Sequence, residues 1–301
     1  MIEQLSEGFF EIFEDGSFHK MDPSRLDNVS EDTSLGKYSS ALGIDPLLIQ
    51  SNGKTVVIDP GLGWGLDHRS SYNDTSSVVT NLDIFEISPE DVDLVILSHL
   101  HYDHMAGCTF VDENQKTQAT FPNARYLVHK EEWEYALAQT GTKHGSRGAT
   151  YNLDEFYKLI AEKRVDFIDQ NMYSPLQGIS LIKTGGHTPG HLIAKIVDEE
   201  EIFYFLGDLV PTEYHLNHYA MKQIDWDPIQ AKKAKRAVLN HATEESATLF
   251  FYHSLFQKSG RISLNKKNQF TLSQHVGRST FRILNSVTLS VPLRTWRFLI
   301  L

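Results

Sequence analysis

Four side chains able to bind a metal crowd into the stretch SHLHYDHMAG, Ser98–Gly107: His99, His101, Asp103 and His104. They follow Val92–Leu97 (VDLVIL), an apolar run broken only by Asp93, which reads as a buried strand. In extended chain, residues two apart point the same way, so His99 and His101 reach one ion together. Asp103 and His104 fall where the chain must turn, and adjacent side chains diverge there enough to serve a second ion. Imidazole nitrogen and carboxylate oxygen suit Zn²⁺ or a similar first-row divalent ion. The plain alternative is a polar loop rich in histidine. A buried strand running straight into the cluster weighs against it.

The pattern H-x-H-x-D-H after an apolar strand resembles the signature of the metallo-β-lactamase superfamily. That resemblance implies three more ligands in a fixed order, and each has a match. His187 stands in TGGHTPGH (Thr184–His191), Asp208 in FLGDLVP (Phe205–Pro211), and His253 directly after LFFY (Leu249–Tyr252). The resemblance spans about Tyr38 to His253. It assigns His99, His101 and His187 to one metal and Asp103, His104 and His253 to the other, with Asp208 bridging. Two Zn²⁺ ions, or other first-row divalent metals, would then share a water and lower its pKa from about 15.7 towards ~7. The resulting hydroxide attacks an electrophilic centre, while Asp103 orients it or moves a proton to the leaving group. Asp59, at the end of KTVVI, matches an Asp that orients metal-binding histidines in relatives; a turn Asp before Pro60 is the alternative reading. His191 belongs to the same motif as His187 and is expected to support the site without binding metal.

The same resemblance implies the fold, an α+β protein with an αββα sandwich of two mixed sheets. It also points to the lactonase and methyl parathion hydrolase branch, through GDLVPTEYHL (Gly207–Leu216) and the long Thr140–Lys163 region. The substrate partner is then a small-molecule ester or lactone, with an acyl-homoserine lactone favoured. Tyr214 and His215 are candidate donors to the substrate carbonyl, since a donor there stabilises a developing oxyanion. Some lactonases carry a Tyr three residues after the bridging Asp; here that position is Pro211. Competing readings are a thioester hydrolase of the glyoxalase II kind, a phosphotriesterase, and a mono-iron persulfide dioxygenase. The diiron redox branch has a Glu in the first motif, and this chain does not.

The elements that must position these residues can be read along the chain. Gly8–Asp15 reads as an edge strand and Gly16–Gly36 as loop. Ala41–Gln50 and Lys54–Ile58 read as strands around an Asn52-Gly53 turn. Gly61–Ser71 is a loop near the site mouth, carrying Trp64. Ser88-Pro89 starts a short helix. Ala124–His129 is a strand followed by a helix from Lys130 to about Gln139, and Tyr151–Lys163 is helical. Ile179–Thr184, Leu192–Val197 and Glu201–Leu206 are strands, and Pro228–Asn240 is a helix capped by Asp227. Its KKAKR run reads as a solvated face. Cys108 reads as a small core residue, and His129, His144, His215, His218 and His241 as surface or structural histidines outside the metal set.

Composition excludes other classes. A net charge of −11 over 301 residues argues against nucleic-acid binding, which needs clustered Lys and Arg. One cysteine rules out an internal disulfide framework. No apolar run approaches the roughly 18 residues of a membrane span, so the expectation is a cytoplasmic protein with no membrane partner; a homodimer is left open. Residues 1–274 read as the hydrolase domain. Residues 275–301 read as an extension of unclear status, in a tail with no acid after Glu245 and eight Lys or Arg. Relatives usually carry an Asp after the last His, where this chain has Ser254.

Overall fold

Strands whose residues are apolar on both faces require a covering layer on each side. The computed structural model, which describes residues 1–12, 18–21, 41–68, 76–140, 151–217 and 225–277, supplies both layers. One sheet has six strands in the order Ile2–Gln4, Leu47–Ser51, Lys54–Ile58, Leu94–Ile96, Arg125–His129, Val165–Ile168. The other has seven, from Met172–Leu176 through Ile179–Lys183, Leu192–Asp198, Glu201–Phe205, Thr248–Phe250 and Gln257–Leu264 to Phe270–Gly277. Both are mixed. Lys54–Ile58 runs parallel to Leu94–Ile96, and Glu201–Phe205 runs parallel to Thr248–Phe250.

The alternation of side chains sorts the residues into layers. Ile49, Val56, Ile58, Ile96 and Leu127 meet Ile179, Leu181, Ala194, Ile196 and Phe205 between the sheets. Their neighbours Leu48, Val57, Val95, Tyr126 and Val128 face outwards. There they pack with Val78 and Leu82 of helix Val78–Asp83, Ala136 of helix Lys130–Gln139, and Phe156 and Leu159 of helix Phe156–Ala161. On the far side, Ile193, Tyr204 and Leu249 pack under Leu239 and Ala242 of helix Pro228–Glu244. The four layers are the expected αββα sandwich.

Several expectations about single elements change. Gly8–Ile12 is the centre of a three-stranded sheet, paired with both Phe18–Lys20 and Ala41–Ile44, and not an edge. The run Ala41–Gln50 is two strands, because Asp45-Pro46 interrupts it and Pro46 has no N–H to continue a ladder. Only Phe156–Ala161 of the Tyr151–Lys163 stretch is helical. Helix Pro228–Glu244 continues past Asn240, with the Asp227 carboxylate accepting from the N–H groups of Ile229 and Gln230. The KKAKR run is not uniformly solvated. Lys235 is buried, and its ammonium donates to the His215 carbonyl at 3.3 Å; burial lowers its pKa to about 8. The final strand extends to Gly277. His144 and His218, with most of the Thr140–Thr150 loop, lie outside the described residues.

The sandwich opens on one edge. Strands Lys54–Ile58, Leu94–Ile96, Glu201–Phe205 and Thr248–Phe250 all end there, since each parallel pair sends both carboxyl ends the same way. Each is followed within three residues by a site residue: Asp59, His99, Asp208 and His253.

Candidate metal centre

Asp208 organises the site by turning its two oxygens in different directions. Oδ2 lies 3.1 Å from His187 Nε2 and 3.9 Å from His99 Nε2. Oδ1 lies 3.2 Å from His253 Nε2 and 3.4 Å from His104 Nε2. Ligand atoms of His99, His101, His187 and Asp208 fall within 4.8 Å of one another, and those of Asp103, His104 and His253 form a second such group. All seven side chains are buried or nearly so. The structure therefore brings together every residue that the sequence assigned to metal.

Two observations test whether these donors fit a metal. His101 Nδ1 sits 2.8 Å from His99 Nε2 and 3.2 Å from His187 Nε2, so three imidazole nitrogens aim at a common point. Asp208 Oδ1 is buried without a hydrogen-bond partner. Buried acceptors facing one another in this way are costly unless a cation lies between them. The donor set is all nitrogen and oxygen, which suits Zn²⁺ and other first-row divalent ions.

The electrostatics agree. Burial, reinforced by the neighbouring imidazoles, pushes His99 and His101 well below the usual histidine range, so both present neutral nitrogens. Burial also disfavours charge on His104, His187 and His253, but the Asp208 carboxylate outweighs it and holds all three up, His187 to about 9. Asp208 is itself held well below the carboxylate range, because His253, His104 and His187 overcome the desolvation of its charge. Without metal the cluster keeps protons where cations belong.

Four of the histidines, His99, His104, His187 and His253, are aimed from behind by a partner on the other ring nitrogen. Asp59, fully buried and in the left-handed region at φ 50°, accepts from the Ser98 backbone N–H at 2.7 Å and the Ser98 hydroxyl at 2.5 Å. It also meets His104 Nδ1 at 2.8 Å. Ser98 Oγ in turn takes His99 Nδ1–H at 2.9 Å, because its own proton is given to Asp59. His253 Nδ1–H goes to the Gly43 carbonyl at 2.9 Å, and His187 Nδ1 faces Asp225 at 3.2 Å. Tyr252 stacks on His104 with centroids 4.2 Å apart and donates its hydroxyl to the Asp103 carbonyl at 2.8 Å.

His191 supports the centre through Asp208. Its Nε2 accepts the Asp208 backbone N–H at 3.1 Å, and its Nδ1–H faces Thr184 Oγ1 at 2.8 Å. Burial keeps it neutral, as an acceptor must be. The approach is tight. Gly207, at φ 48°, has no Cβ; one there would stand 2.9 Å from His191 Nε2 and 3.1 Å from Ser98 Oγ.

The remaining candidates lie apart from the two donor groups. Tyr214 and His215 occupy the turn Glu213–Leu216; His215 Nδ1 is 2.7 Å from Thr212 Oγ1. His129 caps the following helix by accepting from the Glu131 N–H, and His241 is on the surface beside Glu244. Cys108 is buried in the outer core, and Trp64 packs edge-on against Phe10 at 5.2 Å. Ser254 is buried, with its hydroxyl on Glu213. Sequence reasoning missed Asp225, Glu132 and Tyr151; the ring of Tyr151 lies 5.0 Å from that of His101.

Two donor cages sharing one carboxylate, at the open edge of an αββα sandwich, mark a protein built to bind metal. Residues 41–241 match the metallo-beta-lactamase superfamily, and the chain belongs to it. An N-acyl homoserine lactonase of Bacillus cereus is 26% identical over 194 residues, covering 61% of this chain and 64% of that protein. The N-acyl homoserine lactonase AttM of Rhizobium radiobacter is 24% identical over 213 residues, 67% of this chain and 74% of that one. The chain thus spans less than two thirds of the length of the Bacillus relative. Among solved structures, a probable metal-dependent hydrolase from Staphylococcus aureus is similar with a TM-score of 0.68 at 23% identity, over 92% of this chain and 98% of that one. AidC, a dizinc quorum-quenching lactonase, gives 0.65 at 20% identity over 90% and 93%. At these identities the solved structures speak for the fold alone. Among the described residues no helix is long and apolar enough to cross a membrane.

Proposed function

We propose that this chain is a dinuclear metal-dependent hydrolase of esters and lactones, with acyl-homoserine lactones as its substrate class. The observation that carries this reading is the division of Asp208, with Oδ2 turned to the three-histidine cage and Oδ1 to the cage of Asp103, His104 and His253. Both cages are complete, which favours two divalent ions over the single iron of a dioxygenase. When bound, such ions supply a water acidified to a pKa near ~7 and polarise the oxygen that gains charge.

The protein's own residues do the rest. His99 and His101 offer neutral nitrogens, Ser98 holds the ring of His99, and Asp59, Asp225 and the Gly43 carbonyl hold those of His104, His187 and His253 so that they cannot turn away. Asp103, whose carboxylate lies 3.5 Å from His253 Nε2, is the group assigned to carry a proton to the leaving oxygen. Tyr214 and His215, in the turn Glu213–Leu216 that follows Asp208, are the candidates to donate to the substrate carbonyl. Lactone substrates are supported by the names of the relatives at 24–26% identity.

The test measures metal content per chain together with hydrolysis of a long-chain acyl-homoserine lactone, in wild type and Asp208→Ala. About two zinc ions, with turnover lost in the variant, is the expected result. One iron with oxygen uptake would overturn the reading in favour of a persulfide dioxygenase. Two zincs without lactone turnover would keep the hydrolase and move its substrate to thioesters or phosphotriesters.

A further inference from the structure

Outside the two cages, the carboxylate of Glu132, in the first turn of helix Lys130–Gln139, has no exposed surface. Its Oε1 accepts the backbone N–H of Leu100, the residue between His99 and His101, at 3.0 Å. The same oxygen accepts the Tyr151 hydroxyl at 3.2 Å, and the ring of Tyr151 lies 5.0 Å from that of His101. The loop that carries His187 rests directly on the helix: a Cβ on Gly190 would stand 2.2 Å from the Glu132 nitrogen. Leu100 and Gly190 belong to different sheets' loops, and together those loops deliver His99, His101 and His187.

We propose that Glu132 is a positioning residue for the three-histidine cage, a strut whose carboxylate holds Leu100 and Tyr151 while its own backbone bears on Gly190, so that it sets the separation of the two loops that carry the ligands. The inference rests on the reading of the cluster as a metal centre. An ionised or neutral carboxyl spans this gap equally well, so the argument is one of distance. Asp103, His104 and His253 have holders of their own in Tyr252, Asp59 and the Gly43 carbonyl. Loss of the strut therefore falls first on the three-histidine cage.

The experiment uses the full chain, stripped of metal and reloaded. Zn²⁺ affinity is read by competition with a chromophoric chelator, and cage geometry by the visible spectrum of the Co²⁺ form. In Glu132→Ala one of two equivalents should weaken by about 10- to 100-fold, the range for partners that orient ligands, with an altered Co²⁺ band, while the other stays within about threefold. Glu132→Gln keeps the oxygen that accepts from Leu100 and Tyr151 and should bind both equivalents within about threefold of wild type. Tyr151→Phe, which removes one of the two ties to Oε1, should fall between. A residue that merely supports the fold would lower the melting temperature without moving the Co²⁺ spectrum. Wild-type affinities and spectrum in Glu132→Ala, equal weakening of both equivalents, or a Gln variant as damaged as Ala would each overturn the proposal. Should Glu132→Ala fail to fold, Glu132→Met, of similar volume, takes its place with the same criteria. A wild-type chain that binds fewer than two equivalents overturns the metal reading itself and this inference with it; two equivalents with an indifferent Glu132 overturn only the inference.

Discussion

Removing His191 tests how the fold holds its central carboxylate. In His191→Ala the Asp208 backbone N–H loses the acceptor that stands 3.1 Å away. No water reaches a residue this buried at no cost, and an unmet buried donor costs about 1–3 kcal/mol. The Thr184 hydroxyl fares better, because it also donates to the residue-191 carbonyl at 3.2 Å. The missing ring leaves a void beside His99 and His187, whose centroids lie 5.4 and 5.7 Å from it, adding roughly 1–2 kcal/mol, below the span for larger core truncations. The sum, roughly 2–5 kcal/mol, is a large part of the 5–15 kcal/mol that stabilises an ordinary domain. Urea unfolding of the metal-free chain measures it. Because Asp208 serves both cages, metal affinity should fall at both sites, unlike the one-sided loss expected of Glu132→Ala. Thr184→Val is the control: it removes the tie to Nδ1 but keeps the ring, and should cost only about 1 kcal/mol. A His191→Ala chain destabilised by less than 1 kcal/mol, or one that binds both metals normally, would refute the reasoning.

Two further predictions come from buried carboxylates. Burial raises the pKa of Glu7 to about 8 from 4.5, against the pull of the N–H groups of Leu62, Gly63 and Val78. A carboxyl whose folded pKa is raised binds its proton more tightly in the folded state, so its stabilising contribution is full below about pH 4.5 and is lost as pH climbs through 8. Unfolding free energies measured across that window should decline by an amount on the order of a few kcal/mol from this group, and the slope should flatten in Glu7→Gln; an unchanged slope would assign it to other groups. Asp225→Asn removes the carboxylate that faces His187 Nδ1 and should weaken metal binding about 10- to 100-fold, with His187 titrating lower by NMR in the metal-free chain; a His187 shift without any loss of affinity would show that Asp225 does not aim the ligand.

The ligands were legible because chemistry fixes their spacing. Two His separated by one residue, and an Asp-His pair at the turn, can be seen without knowing where the chain goes next. His187, Asp208 and His253 were legible through the family resemblance, which implied three further ligands in that order; the apolar runs before Asp208 and His253 gave the expected setting. The supports were not. Glu132 holds Leu100, 32 residues away in sequence, and lies against Gly190, 58 residues away; no local pattern announces such a tie, and its one trace is an acid in the first turn of an otherwise ordinary helix. Lys235 reads as part of a solvated run because sequence cannot show that the turn Glu213–Leu216 folds over it. The last hairpin, Gln257–Leu264 with Phe270–Gly277, went unread because its first strand carries Lys258, Gly260 and Arg261 in place of an apolar run. The ammonium of Lys258 is accommodated by the carbonyls of Gln4 and Leu5, at the far end of the chain.

The division of Asp208 between two cages also sets an order of assembly. A chain is synthesised from its N-terminus, and domains begin to fold as they emerge. Every donor of the three-histidine cage lies at or before residue 208, whereas the other cage waits for His253 on the penultimate loop of the second sheet. A nascent chain that has reached Asp208 already holds one complete set of ligands and all but His253 of the other. The second set closes only when Thr248–Phe250 takes its place beside Glu201–Phe205. On the two-metal reading proposed above, the second ion finds its full set of ligands only after the second sheet has been finished.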